Sequence, residues 1–309
     1  MIIACNIDND YVRHCAVMLR SLFDANPTEE LEVYVIHSQL LREERAKLVA
    51  YLSSFLTSVS FIYVDDSLLQ EFPESEHVKL ASYYRIFLPE ILPHRLDRVI
   101  YIDSDVVIHG SLAELWSMPL DDHRLAASSD RNLVMQRSRL QMMDDSPYFN
   151  AGVMTFSLNE WRTLDLASRG LEIARNHPER LQNCDQDVLN VLFEKQCLIL
   201  HQRWNAMPHL WGLDPQWLLE QGGLSVEEQE AVAQPAIVHF AGAGSAKPWH
   251  AKCLHPWRGR YRTLLNQTPW AGTPLDGIMP RANPLGRSLG WLKRRFDSNG
   301  PHPSIDRGS

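Results

Sequence analysis

Apolar residues recur with two different periods along the first half of this chain. Ile2–Ile7 is a short apolar run that turns polar at its end, the pattern of a buried strand reaching a sheet edge. From Tyr11 to Phe23, the residues Val12, Cys15, Ala16, Leu19, Leu22 and Phe23 repeat at helical spacing. A second strand is predicted over Leu31–His37, a charged amphipathic helix over Arg42–Leu56 and a third strand over Ser58–Val64. Helical spacing returns over Leu80–Leu88, ahead of Pro89 and Pro93. Further strands are predicted at Arg98–Ile102, Leu125–Ser129, Gly152–Phe156 and Ala236–Phe240, with a helix over Gln186–Phe193. Strands alternating with helical segments predict βαβ units, an α/β fold and a mostly parallel central sheet flanked by helices.

Polar side chains stand where these strands run out: Asp8, Asp103 with Asp105, Asp130 and His239. Open α/β sheets bind ligands beyond the carboxyl ends of their strands, so the pattern gathers these groups around one crevice. Any one of them alone reads as a helix cap or a polar loop residue. After about Thr268 the composition shifts to recurrent Pro and Gly, followed by Trp291-Leu292-Lys293-Arg294-Arg295-Phe296. The expected division is a catalytic domain over 1–267 and a tail over 268–309 that carries one short basic-aromatic helix.

Composition narrows the function. The hydrophobic fraction of 45% suits a globular chain with a real core, and the formal net charge of -8 argues against nucleic-acid binding through phosphate neutralisation. The N-terminus has no charged leader followed by an apolar stretch, and no run is long enough to span a bilayer. Five scattered cysteines without a Cys-x-x-Cys pair predict neither a disulfide framework nor a structural zinc site. A reducing cytoplasm is the expected location. The basic-aromatic tail segment offers a peripheral contact with the cytoplasmic face of a membrane.

Residues two apart at the end of an extended strand project to the same side, so Asp103 and Asp105 form a hard, anionic pair suited to Mn²⁺ or Mg²⁺. Two chemistries share this triplet: a haloacid-dehalogenase-type phosphohydrolase with a nucleophilic Asp, and a nucleotide-sugar transferase. Position separates them, because the phosphohydrolase motif opens its chain and here several βαβ segments precede it. Downstream, Val238-His239-Phe240 leads into Ala241-Gly242-Ala243-Gly244-Ser245-Ala246-Lys247-Pro248-Trp249. A neutral imidazole completes a metal shell, small residues let backbone approach a phosphate, and Lys247 adds a point charge.

Taken in order, Asp8, Tyr83-Tyr84-Arg85, Val99-Ile100-Tyr101-Ile102-Asp103-Ser104-Asp105, Phe149-Asn150-Ala151-Gly152-Val153, Asp185-Gln186-Asp187-Val188-Leu189-Asn190 and the His239 to His250 block resemble glycosyltransferase family 8. That family includes bacterial lipopolysaccharide galactosyl- and glucosyltransferases and glycogenin. The resemblance implies a Rossmann-like nucleotide-diphospho-sugar transferase fold of the GT-A type. It implies a retaining hexosyltransferase that uses a UDP-hexose, with Mn²⁺ as the usual cofactor and Mg²⁺ as the alternative. The expected acceptor is a saccharide or glycolipid, in lipopolysaccharide or another surface glycan.

By the same resemblance Asp103, Asp105 and His239 are the expected metal ligands, and Asp8 the residue that reads the base. His77 and Lys247 are expected on the diphosphate, with either Gly242 or Gly244 as the family glycine. Arg85, Ser104, Asp130, Asn150, Ala151, Asp185 and Gln186 are expected around the donor, and Gln186, Asp185 and Asp130 are the catalytic candidates. The His239 to Lys247 interval is longer than the family's common spacing, so the loop is expected to bulge. Asp10 and Lys79 also depart from the common pattern. A non-catalytic sugar-nucleotide binder and the phosphohydrolase stand as alternatives. The cluster Trp204, Asn205, Met207, His209 and Trp211 reads either as an acceptor wall or as core. The segment 132–146, with Met135, Met142 and Met143, reads as a loop over the donor.

Overall fold

The computed structural model describes residues 1–55, 57–65, 80–131, 135–213 and 222–278. Seven strands form the main sheet in the order β3-β2-β1-β4-β7-β6-β8: β1 Ile2–Ile7, β2 Glu32–His37, β3 Ser58–Tyr63, β4 Arg98–Ile102, β6 Leu125–Ser129, β7 Phe149–Ser157 and β8 Cys197–Leu200. β3, β2, β1 and β4 run parallel, as do β6 and β8, and β7 is antiparallel to both of its neighbours. The expected mostly parallel α/β sheet is therefore present.

The near-continuous apolar runs reflect burial on both faces of the sheet. Ile3, Cys5, Ile7, Val33 and Ile100 pack with the Val12–Ala25 helix in one core. Ala4, Tyr34, Ile36, Val99 and Tyr101 pack with Tyr83, Trp161 and Val188 in the other. Strand periodicity thus assigns alternate residues of β1, β2 and β4 to opposite cores.

Chain order reverses at β1. The chain runs β1, β2, β3 outwards in one direction and then returns to place β4 on the other side of β1. The crevice beyond the carboxyl ends of β1 and β4 is a topological switch point, the place where such sheets take ligands. Because β7 is antiparallel, its first residues, Phe149 to Gly152, lie at this same edge.

Several elements differ from the sequence reading. The late strand is short, Ile237–His239 (β9), and it leaves the main sheet to pair antiparallel with Val106–Ile108 (β5). Residues 80–87 form a 3-10 helix that leads into the α-helix Leu88–Ile91. The second helix ends at Leu52. The described chain also stays packed beyond 267. Trp270 is buried, donates Nε1–H to Glu44 Oε2 at 2.7 Å and carries Lys47 over its ring at 4.6 Å. Asp276 pairs with Arg13 at 3.1 Å and exchanges backbone hydrogen bonds with Trp249 and Ala251. The change of composition near 268 therefore does not coincide with the edge of the packed body. The segment Trp291 to Phe296 lies outside the described residues. No helix among the described residues is long and apolar enough to cross a membrane.

Candidate active site

The switch-point crevice is a cavity of about 1000 Å³. Asp8, Arg85, Asp103, Ser104, Asp105, Asp130, Asn150, Asp185, Gln186, His239, Gly242, Gly244 and Lys247 all line it. Ala151 stands just behind, fully buried, and takes part through its backbone. His77 and Lys79 lie outside the described residues.

Local geometry explains each position. Asp8 follows β1, and its Oδ1 accepts the N–H groups of Asp10 and Tyr11 at 3.0 and 3.1 Å, ordering the turn into the Val12–Ala25 helix. Asp103 follows β4 and is held at Oδ1 by Arg85 Nη2 and Tyr101 Oη, each at 2.8 Å. Ser104 donates back to the Asn6 carbonyl at 3.3 Å, so β1 and β4 are tied together at their ends. Asp105 precedes β5, and its carbonyl accepts the Phe240 N–H at 3.0 Å. The β5–β9 ribbon, with Val106 opposite His239, thereby delivers His239 beside Asp105.

Asp103, Asp105 and His239 each offer a ligand atom, and these atoms lie within 4.8 Å of one another. His239 Nε2 stands 3.4 Å from Asp105 Oδ1, while Lys247 donates Nζ–H to Asp105 Oδ2 and to the Phe240 carbonyl. Burial works against the ionised form of Asp105, but the adjacent Lys247 ammonium and His239 outweigh it and hold the carboxyl far below its ordinary range. Arg85 is buried between two acids: Nη2 reaches Asp103, Nε lies 3.0 Å from Asp185 Oδ2, and Nη1 donates to the Ala151 carbonyl at 2.7 Å. Its guanidinium carbon also lies 4.6 Å from the centroid of the Tyr101 ring. Burial pushes Asp185 up to about 7 even though Arg85 opposes the shift.

Asn150, Gln186 and Asp130 form an amide and carboxylate cluster. Asn150 Nδ2 donates to Gln186 Oε1 at 3.0 Å and to Asp130 Oδ2 at 3.2 Å, and Gln186 Nε2 donates to Asp130 Oδ2 at 3.3 Å. Gln186 Oε1 also accepts the Ala151 N–H at 3.2 Å. Asp185 and Gln186 both ride on the first turn of the helix Cys184–Leu192.

The long loop before Lys247 resolves into a 3-10 turn at Gly244–Ala246. Gly242 and Gly244 both have positive φ, 98° and 55°, so each glycine has a conformational role and the turn brings Lys247 to the acids. Of the segment 132–146 expected over the donor, 132–134 lie outside the described residues and 135–146 do not line the cavity. Arg139 ties them to Asp187 at 2.9 Å, and Ser146 donates to Glu194 at 2.8 Å. Trp204, Met207 and His209 are buried in the interior, which is the packing alternative.

Sequence reasoning left some participants unassigned. Asn205 is fully buried and accepts from His239 Nδ1 at 2.8 Å. Its only sequence signal was membership of an aromatic-rich stretch. Gly152 was legible as part of a motif, yet its reason is spatial. A Cβ there would stand 2.8 Å from Asp103 Oδ2, 2.9 Å from Asn150 Oδ1 and closer still to His239 Cε1. Trp270 and Asp276, from the stretch read as tail, line the cavity rim with Arg13 and Glu44.

The donor set of two carboxylates and one imidazole suits a hard or borderline divalent cation. Asp103, Asp105, Asp130 and Asp185 bring more negative charge to this enclosed space than Arg85 and Lys247 offset. A mostly parallel sheet, a switch-point crevice and an Asp-Ser-Asp turn facing a histidine from a late strand define a GT-A-type glycosyltransferase. More narrowly, the chain belongs to glycosyl transferase family 8, whose model matches residues 2–253. It is 30% identical over 275 residues to general stress protein A of Bacillus subtilis (strain 168), covering 87% of this chain and 94% of that protein. It is 23% identical over 282 residues to the lipopolysaccharide 1,3-galactosyltransferase of Salmonella typhimurium (strain LT2), covering 87% and 79%. Among solved structures it is similar to the galactosyltransferase LgtC in complex with donor and acceptor sugar analogs, with a TM-score of 0.76, 27% identity and coverage of 91% of this chain and 98% of that one. Family membership removes the phosphohydrolase alternative.

Proposed function

We propose that the enzyme transfers galactose or glucose from a UDP-sugar to a saccharide hydroxyl of lipopolysaccharide or another surface glycan, with retention at the anomeric carbon. The observation that carries this reading is that His239, from a distant chain segment, converges with Asp103 and Asp105, their ligand atoms lying within 4.8 Å of one another. The names of the relatives support the acceptor class, since several are lipopolysaccharide galactosyl- or glucosyltransferases. Asp103, Asp105 and His239 would hold a divalent cation, with Mn²⁺ as the first choice and Mg²⁺ as the second. When bound, that cation supplies positive charge against the diphosphate leaving group.

The protein's own residues do the rest. Asp8 and the turn it orders receive the base. Lys247 exchanges Asp105 for a phosphate oxygen, adding a point charge where the leaving group develops its own. Arg85, fixed by Asp103, Asp185 and the Ala151 carbonyl, holds the carboxylates in place around the sugar. Gln186 faces the sugar with an amide whose delocalised lone pair makes it a poor nucleophile. We read the site as favouring front-face attack by the acceptor hydroxyl, whose proton would pass to the departing β-phosphate, with Gln186, Asp130 and the ionised form of Asp185 stabilising positive charge on the sugar. LgtC has an active-site glutamine that has been replaced by glutamate, and Gln186 is the glutamine that lines this cavity among the described residues.

The test is nucleotide release from UDP-galactose and UDP-glucose with Mn²⁺, with and without saccharide acceptors, and after chelation. Release that requires metal and vanishes in Asp105→Ala supports the reading. No release from any UDP-hexose by the intact protein refutes it.

A further inference from the structure

We propose that Asn205 is a positioning residue that decides which nitrogen His239 presents to Asp103 and Asp105, and that it takes its own orientation from the backbone of β7. This rests on the metal reading of the acid and histidine cluster.

The polarity of each hydrogen bond is forced in sequence. A backbone N–H can only donate, so the Gly152 N–H at 3.0 Å from Asn150 marks that atom as the amide oxygen. The other end of Asn150 is then its NH₂ group, which agrees with its donation to Gln186 Oε1, itself marked as oxygen by the Ala151 N–H. Asn205 meets the Asn150 oxygen at 2.8 Å and must turn its own NH₂ towards it. The Asn205 oxygen therefore faces His239 Nδ1 at 2.8 Å, and Nδ1 must carry the proton. In the neutral imidazole, the form that ligates a metal, Nε2 then keeps its lone pair, and it is Nε2 that stands 3.4 Å from Asp105 Oδ1. His239, Asn205 and Asn150 are all buried, so water does not compete for these bonds. Two backbone N–H groups of β7 thus fix both the imidazole tautomer and the amide of Gln186, and Asn150 is the junction between them.

The two halves of the relay separate by substitution. Asn205→Asp keeps an acceptor for Nδ1–H but loses the donor to Asn150. Asn205→Ala loses both. The full-length protein is titrated with Mn²⁺, following the free ion by electron paramagnetic resonance. The imidazole tautomers are read without metal by long-range proton–nitrogen NMR, above the pH at which the ring loses its second proton, with the His239 signals identified by their loss in His239→Gln. His239 is expected as the Nδ1–H tautomer in the wild type and in Asn205→Asp. Asn205→Ala is expected to show a growing Nε2–H population and Mn²⁺ affinity reduced at least about tenfold. Asn205→Asp is expected to bind Mn²⁺ close to wild type while kcat falls and KM for the donor changes little. The inference is overturned if the wild type shows His239 as the Nε2–H tautomer, or if Asn205→Ala leaves both tautomer and affinity unchanged. Should Asn205→Ala fail to fold, Asn205→Asp binding Mn²⁺ more than about tenfold more weakly than wild type overturns it equally. If Asp105→Ala binds Mn²⁺ as tightly as the wild type, the metal reading fails instead, and the tautomer comparison still decides the relay.

Discussion

A single methyl group at Gly152 tests whether the site is as tightly built as its geometry indicates. In Gly152→Ala the new Cβ would lie 2.8 Å from Asp103 Oδ2, 2.9 Å from Asn150 Oδ1 and nearer still to His239 Cε1. None of these neighbours yields easily. Asp103 is held by Arg85 and Tyr101, Asn150 by Gln186 and Asp130, and His239 by Asn205. Gly152 itself sits in β7, paired between β4 and β6, so the strand cannot retreat. Overpacking of this kind costs about 1–3 kcal/mol of stability. The larger effect falls on function, since displacing reactive groups by about 1 Å can cost on the order of 100-fold in rate. Urea unfolding, Mn²⁺ titration and initial rates with a UDP-hexose measure the three quantities. Gly259→Ala, in the helix Arg258–Leu265, is the control, because nothing lies within 4 Å of its Cβ, its φ is not positive and it does not line the cavity. It should leave Mn²⁺ affinity unchanged. If Gly152→Ala binds Mn²⁺ and turns over like wild type, the packing argument is wrong.

Two further perturbations address other parts of the structure. The Asp185 carboxyl is raised from 3.8 to about 7, so the folded state holds its proton more tightly than the unfolded chain, and stability falls as pH rises between those values. Asp185→Asn removes that loss. Chemical unfolding should find the variant level with wild type near pH 4 and more stable by about 2–4 kcal/mol at pH 8, and a gap that does not widen with pH would count against it. Trp270→Ala should destabilise the protein by about 3 kcal/mol, because a buried ring and its bond to Glu44 are lost. An unchanged melting temperature would return residue 270 to the status of an appendage.

Much of the architecture was readable because both cores write a simple pattern. β1, β2 and β4 are buried on two faces and therefore appear as unbroken apolar runs, and the polar residues that end them are the site. β5, β8 and β9 were harder, for they are three or four residues long and carry no full period. Ala236–Phe240 was read as a strand, but nothing in its composition says that its partner is Val106–Ile108 rather than the main sheet. Asn205 was named only as a member of an aromatic cluster, and its task was hidden for a different reason. Its role depends on which way an amide faces, and that is set by a backbone N–H from another strand. Trp270 was misjudged because Pro and Gly around it suggested an irregular end, whereas Glu44 and Lys47 on a distant helix supply its seat.

The β5–β9 ribbon has a consequence for how this family can vary. Asp105 and His239 are separated by the whole middle stretch of the chain, yet three facing residue pairs and the Phe240 to Asp105 hydrogen bond set their spacing. The ribbon acts as a clasp across the base of a long excursion of chain. Asp130, Asn150, Asp185, Gln186 and Asn205 all belong to that excursion. Changes of length at turns away from these residues leave the clasp shut and the spacing of Asp105 and His239 as it is.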